Sequence, residues 1–254
     1  MADPDRVVLV TGAAGAIGSA LIGRFARTGA RTAGSDILQQ PPAGLDVGVW
    51  VPGDVTVASD MERVIADTVD RLGRIDVVVV NAGVTALGSF RGTSDEVFRR
   101  VMDVNFHGAV HTARAALPTL QASEGRLVVI SSVAGFAPVV GRPAYVASKH
   151  AVTGMFESIR QELSRDGIGL TLVFPTFLTT SPADVNETDG SRTVTGRLLT
   201  AGQVADDIVR AVDRRRPRTY PGRVSKAARL LHRLVPSLYG RLMRRRLGRS
   251  NPPD

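Results

Sequence analysis

Short apolar runs recur along the chain, separated by stretches in which apolar positions return every three or four residues. Val7-Val8-Leu9-Val10 has no polar residue at alternate positions, so it predicts a strand covered on both faces. Ser19 to Thr28 reads as a helix, Arg31 to Ser35 and Val49 to Gly53 as strands, and Val57 to Leu72 as an amphipathic helix. Ile75 to Val80 is a nearly pure valine strand. Thr93 to Gln121 predicts one long helix, with Thr93 or Ser94 near its N-cap, Asp95 and Glu96 in its first turn, and Val97, Val101, Val104 and Ala109 as apolar positions. A strand over Arg126 to Ile130, a helix from Pro143 or Ala144 to about Arg165, a strand over Gly169 to Phe174 and a helix from Val204 to Arg214 follow. Strands alternating with helices of crossover length predict a parallel, doubly wound α/β sheet that takes its ligand at the strands' carboxyl ends.

Beyond Arg214 the pattern changes. Val224 to Leu247 places Ala227, Leu231, Leu234, Leu238 and Leu242 at helical spacing with arginines between them, and Pro236 divides the stretch into two short amphipathic helices. Charge separates the same region. The 254-residue chain carries a net +8, yet residues 214 to 254 hold thirteen Lys and Arg against a single acid, so the preceding body is acidic. Two readings of this basic tail stand side by side: packing against the body or a partner subunit, and peripheral attachment to an anionic membrane. Nucleic acid is disfavoured, because Val224 to Leu247 has one aromatic residue and no recognised module.

With 43% apolar residues the chain can build one large core. The absence of cysteine excludes disulfides and thiolate metal sites, and the short acidic start Met1-Ala2-Asp3-Pro4-Asp5 is unlike a secretion signal, so a cytoplasmic protein is expected. No stretch approaches the ~20 apolar residues of a membrane span. His107 and His111 share a helix face but lack a third ligand, and no metal site is expected.

Chemistry concentrates in four places. Thr11-Gly12-Ala13-Ala14-Gly15-Ala16-Ile17-Gly18 joins the first strand to a helix, and such a small-residue turn lets backbone N–H groups and the helix dipole meet a pyrophosphate. Asp36 ends the second strand, where a carboxylate accepts hydrogen bonds from ribose hydroxyls and repels a 2′-phosphate. With no cation at Gly15 or Ile37, NAD is favoured over NADP, and Arg31 is the one cation considered able to reach in. Asp54 is placed to cap the following helix or to face an adenine amine. Tyr145 and Lys149 lie four residues apart, so on a helix they share a face. Lysine occurs only at Lys149 and Lys226, and Tyr145 is the first tyrosine in the chain. A phenol beside an ammonium is a route to a general acid/base at working pH. Ser131-Ser132 ends the fifth strand facing the same crevice. Asn105 lies inside the long helix, where an Asn usually points to solvent or bonds a neighbour.

These motifs, in this order and spacing, resemble the short-chain dehydrogenase/reductase family from Arg6 to about Arg216. The resemblance implies a Rossmann-type domain over 1–216; within it the polar stretch at about 176–200, after the sixth strand, is a candidate substrate lid, and the basic amphipathic extension over 217–254 lies beyond the match. It implies catalytic roles for Asn105, Ser132, Tyr145 and Lys149, Ser132 being selected over Ser131 by its thirteen-residue spacing to Tyr145. It implies a dinucleotide bound by Gly12, Gly15, Ala16, Ile17, Gly18, Asp36, Asp54, Val55, Asn81, Ala82, Gly83, Tyr145, Lys149, Pro175 and Thr180. The expected reaction interconverts a secondary alcohol and a ketone with NAD. Phe136, Val139 and Val140 suggest a hydrophobic substrate such as a steroid, retinoid or lipid-derived alcohol, or else are loop packing. By the same resemblance the chain forms a homodimer or homotetramer. A nucleotide-binding scaffold or sensor without turnover is the alternative. Two departures stand out: Ala16 where the family usually has Gly, and Thr176 where Gly usually follows the strand-six Pro.

Overall fold

In the computed structural model, which describes residues 5–176 and 199–247, seven parallel strands form one sheet in the order β3-β2-β1-β4-β5-β6-β7. The strands are β1 Val7–Thr11, β2 Arg31–Asp36, β3 Val49–Pro52, β4 Val77–Val80, β5 Arg126–Ile130, β6 Gly169–Val173 and β7 Arg218–Thr219. The helices are α1 Ala16–Ala26, α2 Ala58–Leu72, α3 Asp95–Met102, α4 Gly108–Ala122, α5 Pro143–Ser158, α6 Arg160–Arg165, α7 Ala201–Asp213, α8 Gly222–Leu234 and α9 Pro236–Leu247. Side chains beyond residue 242, the lid expected at about 176–200 apart from its ends, and Thr180 lie outside the described residues.

The period of two along each strand divides the core. Val7 and Leu9 of β1, with Val78 and Val80 of β4, pack under α2, α4 and α5. Val8 and Val10, with Val77 and Val79, pack under α1 and α7. Both sets are buried, which is why these strands lack polar alternation. Strand order reverses between β1 and β4, so the connections that leave these two neighbouring strands run to opposite sides and leave the ligand crevice of an open parallel sheet.

Three local expectations are corrected. The helix expected over Thr93 to Gln121 is interrupted: a π-helical turn at Asp103–His107 separates α3 from α4, inserting the buried Asn105 where regular winding would not hold it. Ser94 is the N-cap of α3, accepting from the Val97 N–H. Helix α2 is capped at Val57 with no side-chain bond, so Asp54 is not its cap. Instead the Asp54 carboxylate accepts from the Thr56 N–H and hydroxyl, both at 2.8 Å, closing a local turn. The sheet also continues past residue 216, since β7 pairs with β6 at its edge. The amphipathic helices of the tail form as α8 and α9, divided at Pro236.

Candidate active site

The turn after β1 is built for close backbone approach. Gly12 has φ +63°, and a Cβ there would lie 2.7 Å from the Ala82 Cα, so the turn and the end of β4 touch without side chains between them. Asn81 fastens this contact: its Nδ2 donates to the carbonyls of Thr11 at 2.9 Å and Gly12 at 3.0 Å. The Thr11 hydroxyl accepts from the Asn81 and Ala82 N–H groups. A Cβ on Gly18 would collide with the Gly12 carbonyl, which explains glycine inside α1. Gly15 and Ala16 are exposed and Ile17 half-buried at the mouth of the turn, where the N-terminus of α1 opens to solvent. A Cβ on Gly15 would meet only the Gly12 carbonyl, at 3.4 Å. The cradle at Gly12 and the open helix N-terminus fit the pyrophosphate of a dinucleotide.

Asp36 stands at the edge of that cradle. Its carboxylate accepts from the Ala14 N–H at 3.1 Å and from the Ile37 N–H at 2.9 Å, which ties the end of β2 to the turn. Ile37 beside it is 66% exposed and brings no charge. Arg31 begins β2 and donates to the Asp5 carbonyl at 3.5 Å, five residues from Asp36 and hence about 16 Å away along the strand. Val55 is buried in the core beneath α4, and His111 bonds its carbonyl through Nδ1 at 3.0 Å.

Across the crevice, α5 presents Tyr145 and Lys149. Pro143 starts the helix, where its missing N–H costs nothing. Lys149 is 5% exposed, and burial brings its pKa down to about 8. Its Nζ donates to the Ile130 carbonyl at 2.9 Å and lies 5.8 Å from the centre of the Tyr145 ring. Tyr145 departs from the expected depression. Burial pushes its phenol above the ordinary value, opposed by a hydrogen bond to Ser132 and by the positive charge of Arg142.

The two serines at the end of β5 separate cleanly. Ser131 is buried and bonds Thr153 at 2.8 Å and the Lys149 carbonyl at 3.4 Å, joining β5 to α5. Ser132 accepts from the Ala134 N–H at 3.1 Å, which leaves its own proton for the Tyr145 phenol. Asn105, 2% exposed, acts as a peptide mimic: Oδ1 accepts from the Val84 N–H at 2.8 Å and Nδ2 donates to the Val84 carbonyl at 3.0 Å. Nδ2 also donates to Ser148 Oγ at 2.9 Å, and Ser148 donates to the Tyr145 carbonyl. Gly83 lies between these groups, since a Cβ there would be 3.1 Å from Asn105 Oδ1 and 3.6 Å from Lys149 Nζ. The Pro175 carbonyl accepts from the Val133 N–H at 3.0 Å and links β6 to the turn after Ser132.

Sequence reasoning passed over Arg142, Ser148 and Thr11. Arg142 is buried, precedes α5 and donates to Thr85 Oγ1 at 3.0 Å. Nothing distinguishes it from the many other arginines in the sequence. Ser148 could have been suspected, because its i−3 carbonyl belongs to Tyr145. Phe136 packs edge-on against Phe174 and Tyr220, whereas Val140 remains exposed.

Comparison with known proteins agrees with this geometry. The family model described as short chain dehydrogenase matches residues 6–190. An 11-beta-hydroxysteroid dehydrogenase A of Sesamum indicum is 36% identical over 68% of this chain and 52% of its own length. The chain therefore spans about half of that relative. A dehydrogenase/reductase SDR family protein 7-like of Anopheles gambiae is 30% identical over 97% of this chain and 84% of its own. An L-fucose dehydrogenase of Mus musculus is 34% identical over 67% and 64%. The crystal structure of a short chain dehydrogenase from Burkholderia cenocepacia, in complex with NADP, superposes with a TM-score of 0.82 at 21% identity, over 94% of this chain and 97% of that one. On the family match, the parallel Rossmann-type sheet and the motifs it brings together, the chain belongs to the short-chain dehydrogenases.

Proposed function

We propose that this chain is an NAD-dependent oxidoreductase that interconverts a secondary alcohol and a ketone. The observation that carries the reading is the Tyr145 phenol in the range of influence of Ser132, with the buried Lys149 ammonium one helical turn along α5 and 5.8 Å from the centre of the ring. When bound, a nicotinamide supplies hydride exchange with the substrate carbon, and the chain's own groups manage the proton. In the oxidative direction the substrate hydroxyl passes its proton to Tyr145 in its phenolate form, which becomes the phenol; in the reductive direction the phenol gives its proton to the ketone oxygen and is left as the phenolate. Ser132 holds the reacting oxygen beside the phenol. Lys149, largely charged at neutral pH because its pKa is about 8, offsets negative charge developing on Tyr145. Asn105 fixes the backbone of Val84 and, through Ser148, the start of α5. It is a positioning residue for Tyr145.

The preference for NAD rests on Asp36 at the end of β2, uncharged Ile37 beside it and Arg31 at the far end of the strand. Turnover measured with NAD and NADP in parallel across short alcohols, sugars and steroid or lipid-derived alcohols tests both cofactor and substrate. Faster turnover with NAD on an apolar alcohol is expected, and a strong NADP preference overturns the Asp36 argument. A hydrophobic substrate is favoured by exposed Leu87, Phe90 and Val140, with the loops that carry Leu87 and Val140 joined by the Gly88 N–H to Gly141 carbonyl bond. A dimer or tetramer is expected by family resemblance alone. The alternative of a silent dinucleotide-binding scaffold has no use for Tyr145 and Ser132 together, and absence of turnover across the panel with intact NADH binding would favour it.

A further inference from the structure

Helices α8 and α9 hold the body with one face and leave an apolar row on the other. On the inner face Ser225 is buried and donates to the Phe174 carbonyl at 2.6 Å, while the Tyr239 hydroxyl donates to the Pro138 carbonyl at 3.1 Å. Tyr239 packs on Val133 and Ala137, in the turn that follows Ser132. On the outer face of α8 Leu230 is 61% and Leu234 66% exposed, one helical turn apart, and in α9 Leu238 and Leu242, again one turn apart, are 39% and 40% exposed. Such a row on one side of a helix pair is surface that water does not favour.

Lys226, one helical turn before Leu230 on α8, links the exposed leucines to a cationic cleft that Asp207 and Thr219 also line. That cleft, at the β7 edge of the sheet, is lined by Arg210, Arg214, Arg216, Arg218 and Lys226 around Tyr220. Asp207 pairs with Arg210 and Glu157 with Arg218, and among the described residues no carboxylate pairs with Arg214, Arg216 or Lys226. From Arg214 to Leu247 the sequence contains no acid. A second copy of the chain would bring the same positive charge to this surface, and a nucleic acid has no use for exposed leucines.

We propose that α8 and α9 form a docking surface for a bilayer containing anionic phospholipid, the leucine row entering the interface and the arginine cleft holding a headgroup phosphate. The helices whose inner face covers Val133 to Pro138 then stand between the docked membrane and the turn after Ser132. This goes beyond the proposed oxidoreductase activity, and each claim can fail alone, since vesicle binding is read without turnover.

The test is sedimentation of the full chain with vesicles of phosphatidylcholine alone and with phosphatidylglycerol added. The variants are Leu230→Asp with Leu234→Asp, and Arg214→Glu with Lys226→Glu, each checked by thermal unfolding. Wild type pellets with the anionic vesicles only and is released by salt. The leucine pair lowers the apparent affinity at least about tenfold, and the charge pair about fivefold or more for each cation reversed. Wild type that stays in solution, or binds neutral vesicles as well, overturns the proposal. So does undiminished pelleting of both variants, or a concentration-dependent dimer that the leucine variant abolishes while no vesicle is bound.

Discussion

Replacing Lys149 by Met should make this protein more stable at neutral pH. The ammonium is buried, and its pKa falls from 10.5 to about 8 because burial disfavours the charged form. Between these values the unfolded chain binds the proton and the folded chain does not, so stability rises with pH from about 8 to 10.5; below pH 8 both states are protonated and the full cost of burying charge is present. A shift of that size corresponds to about 3 kcal/mol. Removing Nζ also strips the Ile130 carbonyl of its 2.9 Å donor, which costs about 1 kcal/mol and leaves about 2 kcal/mol net. For a chain of this length that is about 4–8 °C in Tm. Methionine fills similar volume without charge. Thermal unfolding of wild type and Lys149→Met, without ligand, at pH 7 and pH 10 should show a gain at pH 7 that shrinks toward zero at pH 10, together with loss of dehydrogenase turnover. A variant less stable than wild type at pH 7, or a difference independent of pH, would refute a buried, functionally retained charge.

Other substitutions probe the supports of the site. Gly12→Ala forces a φ of +63° on alanine and drives a Cβ to 2.7 Å from the Ala82 backbone; NADH affinity should fall more than about tenfold, whereas Gly15→Ala should change stability little, as melts and fluorescence titration will show. Asn105→Ala removes the partners of the N–H and C=O of half-buried Val84, and urea unfolding should record a loss of about 1–2 kcal/mol. Glu157 is partly buried, which would raise its pKa, but hydrogen bonds from Arg218 and Arg160 hold it down to about 2. Its stabilisation is present above about pH 4.5 and disappears as pH falls through 2, so Glu157→Gln should cost about 1–2 kcal/mol at pH 7 and nothing near pH 2, measured by denaturant midpoints.

The sheet was legible because both faces of β1 and β4 are covered, and burial on both faces leaves an unmistakable apolar run in Val7 to Val10 and Val77 to Val80. Gly12 and Gly18 were legible for a different reason: close backbone approach admits few residue types. What escaped is tertiary. β7 has two residues, so Arg218-Thr219 is too short to carry a periodic signal, and only its pairing with β6 shows it to be a strand. The π turn at Asp103–His107 is set by the need to bury Asn105 against Val84, a contact between distant segments that helix propensity does not encode. The assignment of Ser132 needed a family spacing, since only the fold shows that Ser131 turns toward Thr153 and Ser132 toward Tyr145. The raised phenol of Tyr145 was hidden for the same reason: sequence shows which charges are near along a helix, not how much water burial removes.

The central claim is that Tyr145 carries the proton of an alcohol–ketone interconversion. Tyr145→Phe removes one oxygen and keeps the ring. With an alcohol that wild type oxidises, the variant should lose at least about 10²-fold in kcat while retaining NADH binding. Undiminished turnover in the variant would contradict the account.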